Sequence, residues 1–113
     1  MNSQTSPAKV NLTLRVLGKR ADGYHDILSL MQRITLCDEM LFSPRADGIV
    51  VRCPESSLPQ DVGNIAYRAA AVFISRTKTP PGVEITIRKR IPVAAGLGGG
   101  SSNAATTLMA LNE

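Results

Sequence analysis

The chain has 113 residues, 43% hydrophobic and 19% charged, with 13 basic residues against 9 acidic ones. That length suits one ordinary domain and not two, and the composition excludes a disordered or low-complexity chain. The formal charge of +4 favours anionic partners without choosing among nucleotide, nucleic acid and membrane surface.

With two Phe, two Tyr and no Trp, the expected core is aliphatic, built from Val, Ile, Leu and Ala. The N-terminus "MNSQTSPAKVN" lacks the apolar stretch of a signal peptide, and no apolar run is long enough to span a membrane. Cys37 and Cys53 stand apart with no CxxC pair, so they read as free thiols of a cytoplasmic protein.

In chain order, Val10, Leu12, Leu14 and Val16 alternate with Lys9, Asn11, Thr13 and Arg15. The period of two predicts a strand with the aliphatic face buried and with Lys9 and Asn11 together on the other face. "LGKRADGYHD" follows as a turn region, with Asp22-Gly23 its strongest signal. Residues 27–36 mix periods, although "RITL" reads as extended. "MLFSP" and "GIVVRC" are two more strands, and the "RADG" between them predicts a hairpin.

The polar loop "PESSLPQDVGN" leads to "NIAYRAAAVFISRT". There Ile65, Ala69, Val72 and Phe73 fit helical spacing, and Asn64 is the expected N-cap. "TPPG" breaks the chain before Val83, Ile85 and Ile87, which alternate with Glu84, Thr86 and Arg88 as a strand. "SSNAATTLMALN" then carries Ala104, Ala105, Leu108 and Leu111 at helical spacing. The order predicts an α+β domain with helices packed on one sheet.

"GLGGGSS" lies between that strand and that helix. Glycines there let backbone N–H groups approach an anion closely, and the first helical turn with its dipole favours phosphate. Ser101 and Ser102 can add hydroxyl contacts to phosphate oxygens or to a metal. The same glycines would also serve a tight, closely packed turn. The Walker pattern is excluded because Gly100 is followed by Ser101-Ser102 instead of Lys-Ser/Thr, and GxGxxG fails because Ser101 stands where its last Gly belongs.

"PVAAGLGGGSSNAA" resembles the central motif of the GHMP small-molecule kinases. "SPAKVNLTLRVLGKRADGYHDI" resembles the N-terminal signature of one of their families, the 4-diphosphocytidyl-2-C-methyl-D-erythritol kinases of the non-mevalonate route to isoprenoids. "GNIAYRAA" is similar to the segment that this family places beside the nucleotide. The matches run from Ser6 to Asn112.

The resemblance implies a GHMP kinase N-terminal domain like domain 2 of ribosomal protein S5, with helices on one mixed sheet, in a bacterial cytoplasmic enzyme. It implies transfer of the ATP γ-phosphoryl group to the 2-hydroxyl of 4-diphosphocytidyl-2-C-methyl-D-erythritol with Mg²⁺, a reaction dominated by positioning and charge stabilisation. Pro92, Val93, Ala94, Ala95, Gly96, Leu97, Gly98, Gly99, Gly100, Ser101 and Ser102 would hold the ATP phosphates. Asn64 and Lys89 would meet its nucleoside end.

Lys89 lies inside "RKR" and reads equally as a solvated basic strand end. Lys9 is the catalytic candidate: an ammonium there polarises the acceptor hydroxyl and offsets charge on the transferred group. Without the resemblance it is an ordinary strand lysine. Asn11 would hydrogen-bond the substrate alcohol. Tyr24 and His25 would clasp the cytosine by stacking and edge contacts, although a lone His after a turn is commonly just solvent-exposed.

The family deprotonates its acceptor with an aspartate downstream of the glycine loop, and none of Asp22, Asp26, Asp38, Glu39, Asp47, Glu55, Asp61, Glu84 or Glu113 occupies that position. The last helix also runs to Glu113 without a stop signal. The expectation is an incomplete N-terminal ATP-binding domain over residues 1–113, with the second domain absent, no turnover by itself, and self-association through uncovered surface.

Another GHMP kinase, acting on homoserine, mevalonate or a sugar, is opposed by "KRADGYH". A non-catalytic anion- or RNA-binding module is opposed by scattered basic residues, few aromatics and a single basic run, Arg88 to Arg90.

Overall fold

A computed structural model describes residues 2–54 and 56–113; Glu55, in the polar loop, lies outside the described residues. The elements are β1 (Asn2–Lys19), β2 (His25–Arg45), β3 (Gly48–Arg52), α1 (Ile65–Thr77), β4 (Gly82–Arg88) and α2 (Gly99–Leu111). The strands form one mixed sheet in the order β1-β2-β4-β3. β1/β2 and β2/β4 are antiparallel, and β3/β4 are parallel.

β4 is, with β2, one of the two inner strands, and it suits that place by being apolar at alternate positions: Val83, Ile85 and Ile87 are buried, and Arg88 is exposed. α1 and α2 cover that face. The core joins these three residues to Met40, Phe42, Val51, Cys53, Ala66 and Ala70, with Ile74, Ala110 and Leu111 at its border. It is aliphatic except for Phe42 and the sulfur-bearing Met40 and Cys53, and no leucine belongs to its fully buried set. Each fully buried Ile or Val there contributes about 1.5–3 kcal/mol. Both cysteines are free thiols. No described helix is long and apolar enough to cross a membrane.

The expected hairpin between "MLFSP" and "GIVVRC" does not form. β2 and β3 run antiparallel, but β4 inserts between them, so that Arg45 and Gly48 both pair with Gly82. The turn wraps across the start of β4, where a Cβ on Gly82 would lie 2.4 Å from the Gly48 carbonyl oxygen. Only glycine fits under that crossing. The Asp-Gly signal at residues 47–48 marked a real turn, with Gly48 at φ 78°. Sequence spacing could not reveal the strand inserted behind it.

The real hairpin is β1–β2, closed at Asp22-Gly23, with Gly23 at φ 91° and its N–H bonded to the Arg20 carbonyl. β1 begins at Asn2, far ahead of the aliphatic alternation, and tolerates Pro7 because it is an edge strand. Shifts of register between Pro7 and Lys9, Asn11 and Thr13, and Val16 and Gly18 explain the mixed periods of the partner strand.

The predicted buried face of β1 is open: Leu12, Leu14 and Val16 are 55–63% exposed, as are Ile27, Leu28 and Leu30 at 54–58%. This end of the hairpin projects past β4, whose pairing with β2 covers only Glu39 to Arg45. No described element lies over it.

Both helices form, but with faces rotated from the expected ones. α1 buries Ala66 and Ala70 and leaves Ile65 and Val72 exposed. α2 begins two residues early, at Gly99, and buries Asn103, Thr106 and Thr107 while Leu108 is 42% exposed. The polar face can turn inward because Thr107 Oγ1 satisfies itself on the Asn103 carbonyl of its own helix, and Asn103 reaches a buried carboxylate on β2.

Candidate active site

The glycine loop follows from its backbone. Ala94, Gly96 and Gly98 take positive φ of 60°, 76° and 73°, which carries the chain through a tight path into α2. Gly98 is the N-cap residue, and no side chain caps the helix. The first intrahelical bond runs from the Ser102 N–H to the Gly98 carbonyl, so the N–H groups of Gly99, Gly100 and Ser101 point out of the helix end. These donors and the positive end of the helix dipole form a cradle suited to an anion.

Lys9 reaches this cradle from β1. Its backbone N–H bonds the Leu97 carbonyl at 2.9 Å, and its ammonium bonds the Gly96 carbonyl at 3.0 Å. Its stem lies against Gly98, where a Cβ would stand 3.0 Å from Lys9 Cε. The absence of a side chain at Gly98 therefore admits the lysine as well as the turn. An ammonium bonded once keeps two further N–H donors.

Two clefts flank this contact. One, of about 420 Å³, lies between the loop residues Pro92 to Ser101 and the segment Leu58 to Ile65. The other, of about 490 Å³, lies between α2 and the root of the hairpin, lined by Lys9, Met31, Arg33, Ser101, Ser102 and Met109 among others. Gly98 and Ser101 line both. No carboxylate lines either cleft among the described residues.

Asn64 caps α1 as expected: Oδ1 accepts from the Ala66 N–H at 2.9 Å, and Nδ2 donates to the Pro59 carbonyl at 2.9 Å. It is 3% exposed and stands on the wall of the first cleft. Lys89 lines that cleft too, and it is not a solvated strand end. Its side chain is 8% exposed and forms an ion pair with Asp38, itself fully buried, at 2.5 Å. Arg88 and Arg90 beside it are exposed.

Asn11 projects on the same side of β1 as Lys9, and its Oδ1 accepts from Ser29 Oγ at 2.8 Å. Tyr24 and His25 lie elsewhere. Tyr24 is 73% exposed at the hairpin tip, and neither residue lines the loop clefts. From Lys9, paired with Arg33, to Lys19, paired with His25, a straight strand spans on the order of 30 Å at about 3.3 Å per residue.

Sequence reasoning missed Asp38, Ser6 and Asn103, all buried beneath the loop. Asp38 Oδ1 accepts from the N–H groups of Arg90 and Ile91 at 2.7 and 2.9 Å, which anchors the chain just before the glycines. A signal was present in "LCDEML": Asp38 keeps the inward parity of Met40 and Phe42, both core residues, so a carboxylate sits at a core position.

The family model "GHMP kinases N terminal domain" matches residues 64–113. A 4-diphosphocytidyl-2-C-methyl-D-erythritol kinase from Syntrophus aciditrophicus is 59% identical over 108 residues, 96% of this chain and 39% of that protein. One from Geobacter sulfurreducens is 53% identical over 109 residues, again 96% and 39%. The chain thus spans about two fifths of the length of these curated relatives.

A crystal structure of a 4-(cytidine 5'-diphospho)-2C-methyl-D-erythritol kinase superposes with TM-score 0.83 and 41% identity, covering 98% of this chain and 40% of that one. A mevalonate kinase from Methanococcus jannaschii, at TM-score 0.68 and 18% identity over 98% of this chain and 39% of that one, shares the fold.

Proposed function

The chain belongs to the GHMP kinases, and from that membership we propose that it supplies the ATP-binding part of a kinase acting on 4-diphosphocytidyl-2-C-methyl-D-erythritol. The reaction is transfer of the γ-phosphoryl group to the 2-hydroxyl. The observation that carries this reading is the seat of Lys9 on the glycine loop, between two clefts.

The N–H groups of Gly99, Gly100 and Ser101 hold phosphate oxygens at the helix end. The Pro92-to-Gly98 backbone shapes the cleft around them. Lys89 and Asn64, on its wall, fix where the nucleoside enters. Lys9 turns its remaining N–H donors toward the transferred group and the acceptor hydroxyl, where charge develops. The second cleft is the acceptor side, and Asn11, with Oδ1 already bonded to Ser29, keeps its amide nitrogen to donate to the alcohol.

Tyr24 and His25, on the order of 30 Å along the strand from Lys9, stand farther off than one 4-diphosphocytidyl-2-C-methyl-D-erythritol molecule reaches. The second cleft therefore takes the reacting alcohol, and this geometry does not support the cytosine contacts expected at the tip. Mg²⁺ bound with ATP would offset phosphate charge. No three His, Cys, Asp or Glu side chains cluster among the described residues, so the hydroxyls of Ser101 and Ser102 are the donors the loop offers it. With no carboxylate on either cleft, residues 1–113 alone bind nucleotide without turning it over. The expected setting is the cytoplasm.

The test is calorimetric titration of the 113-residue chain with Mg-ATP, beside Lys9→Met. A charge-assisted hydrogen bond is worth about 1.5–3 kcal/mol, so the variant should bind roughly ten-fold or more weakly. No saturable ATP binding by the folded chain, or equal affinity in Lys9→Met, contradicts the proposal. Binding of single-stranded RNA in place of ATP would favour a nucleic-acid module.

A further inference from the structure

Beneath the loop lies a polar cluster that touches neither cleft directly except at one end. Asp38 and Ser6 are both 0% exposed, and Asn103 is 1% exposed. The Asn103 side-chain atom facing Asp38 Oδ2, the Gly99 carbonyl and Ser6 Oγ lies 3.1, 3.2 and 2.8 Å from them. A carboxylate and a carbonyl only accept, so that atom is the amide nitrogen.

Its two hydrogens serve these three oxygens, with Ser6 taking an accepting role. Ser6 Oγ stands 2.9 Å from Ser102 Oγ. Accepting from Asn103 leaves Ser6 its one hydrogen, and the acceptor in reach among the described residues is Ser102 Oγ, so Ser6 gives its hydrogen to Ser102. Ser102 thus accepts on its buried side and keeps its hydrogen for the partly open side, on the hairpin-root cleft.

We propose that Asp38 is a positioning residue that sets the donor direction of Ser102 through Asn103 and Ser6, turning the Ser102 hydroxyl outward as a donor to a phosphate oxygen. This rests on the reading of the loop as an ATP-phosphate cradle. The same carboxylate fixes the chain ahead of the loop through Arg90, Ile91 and Lys89, so one buried group sets both ends of the glycine segment.

Reversing the polarity should therefore disarm the loop without touching it. In Asp38→Asn an amide nitrogen faces Asn103. Asn103 must then present its oxygen, Ser6 must donate to Asn103, and Ser102 must spend its hydrogen on Ser6. The substitution also leaves Lys89 buried beside a neutral group and can cost the fold. Ser6→Ala is the milder variant: it cuts the relay, while Asn103 keeps Asp38 and the Gly99 carbonyl for its two hydrogens.

The experiment is a double-mutant cycle of Ser6→Ala and Ser102→Ala, read as Mg-ATP affinity of the 113-residue chain, with Asp38→Asn added where it folds. Ser102→Ala is expected to weaken ATP about ten-fold, one charge-assisted bond. Ser6→Ala should weaken it several-fold, and the double variant should be no weaker than Ser102→Ala alone. A merely structural role predicts losses that multiply. Multiplying losses, or a Ser6→Ala chain that binds like the wild type, would overturn the proposal.

A second readout needs no ligand. The Asn103 side-chain amide protons should exchange slowly, show cross-relaxation to Ser6, and shift in Asp38→Asn. If these signals match while the folded wild type binds no ATP, the kinase reading fails and the directed network stands. If Asn103 presents its oxygen to Ser6, the network itself is wrong.

Discussion

Gly98→Ala separates the two reasons for a glycine at the helix start. Gly98 has φ 73°, and its missing Cβ leaves room for the Lys9 stem, with Cε and Cγ at 3.0 and 3.1 Å from where that atom would sit. Gly96 has φ 76° and nothing within 4 Å of its Cβ position. Alanine in the left-handed region costs about 1–2 kcal/mol at either site.

Only at Gly98 must Lys9 also give way, and its bond to the Gly96 carbonyl is worth about 0.5–1.5 kcal/mol net. Gly98→Ala should then lose about 2–3 kcal/mol, roughly 10 °C in Tm or more for a domain of this size, and Gly96→Ala about half as much. Thermal melts followed by circular dichroism, paired with Mg-ATP titrations, read both effects. ATP affinity should fall more steeply in Gly98→Ala than in Gly96→Ala. Equal melts and equal affinities in the two variants would refute the seating of Lys9 against Gly98.

Other expectations follow from the same structure. Asn64→Ala should lose about 1 kcal/mol by urea denaturation, the worth of an N-cap bond, and a loss near zero would show that the cap on α1 is idle. Glu84→Gln should change stability by less than about 1 kcal/mol despite a 2.6 Å contact with Arg52, because the Arg52 side chain is 62% exposed and its charge is screened by solvent; a larger loss in the same assay would contradict this. The open hairpin leucines predict concentration-dependent association of the isolated chain in sedimentation velocity, relieved by Leu14→Lys with Leu30→Lys. A monomer at high concentration without those substitutions counts against it.

The parts of the fold legible in the sequence were those governed by neighbours along the chain. Asn64 before an apolar run gave the start of α1, the alternation of Val83, Ile85 and Ile87 gave β4, and Asp22-Gly23 gave the β1–β2 turn. The glycine loop between strand and helix was legible for the same reason, since backbone freedom and helix-end chemistry are local.

What depended on distant partners was not legible. No local rule places β4 between β2 and β3, because that order is set by which strand buries both its neighbours. The aliphatic alternation of β1 implied a cover that the described residues do not provide. The polar face of α2 turned inward because Asp38 waits for it from a strand 65 residues earlier in the chain. In the site, Lys9 could be nominated from its motif, but its contact with Gly96, 87 residues away, is a product of the folded sheet.

The most direct measurement is amide chemical-shift mapping of the 113-residue chain during titration with Mg-ATP. If the glycine segment and Lys9 form a phosphate cradle, saturable shifts concentrate on Gly98 to Ser102, with a companion shift at the Lys9 amide through its bond to Leu97. No saturable shift, or shifts confined to the Arg88-to-Arg90 run and the hairpin tip, would contradict it.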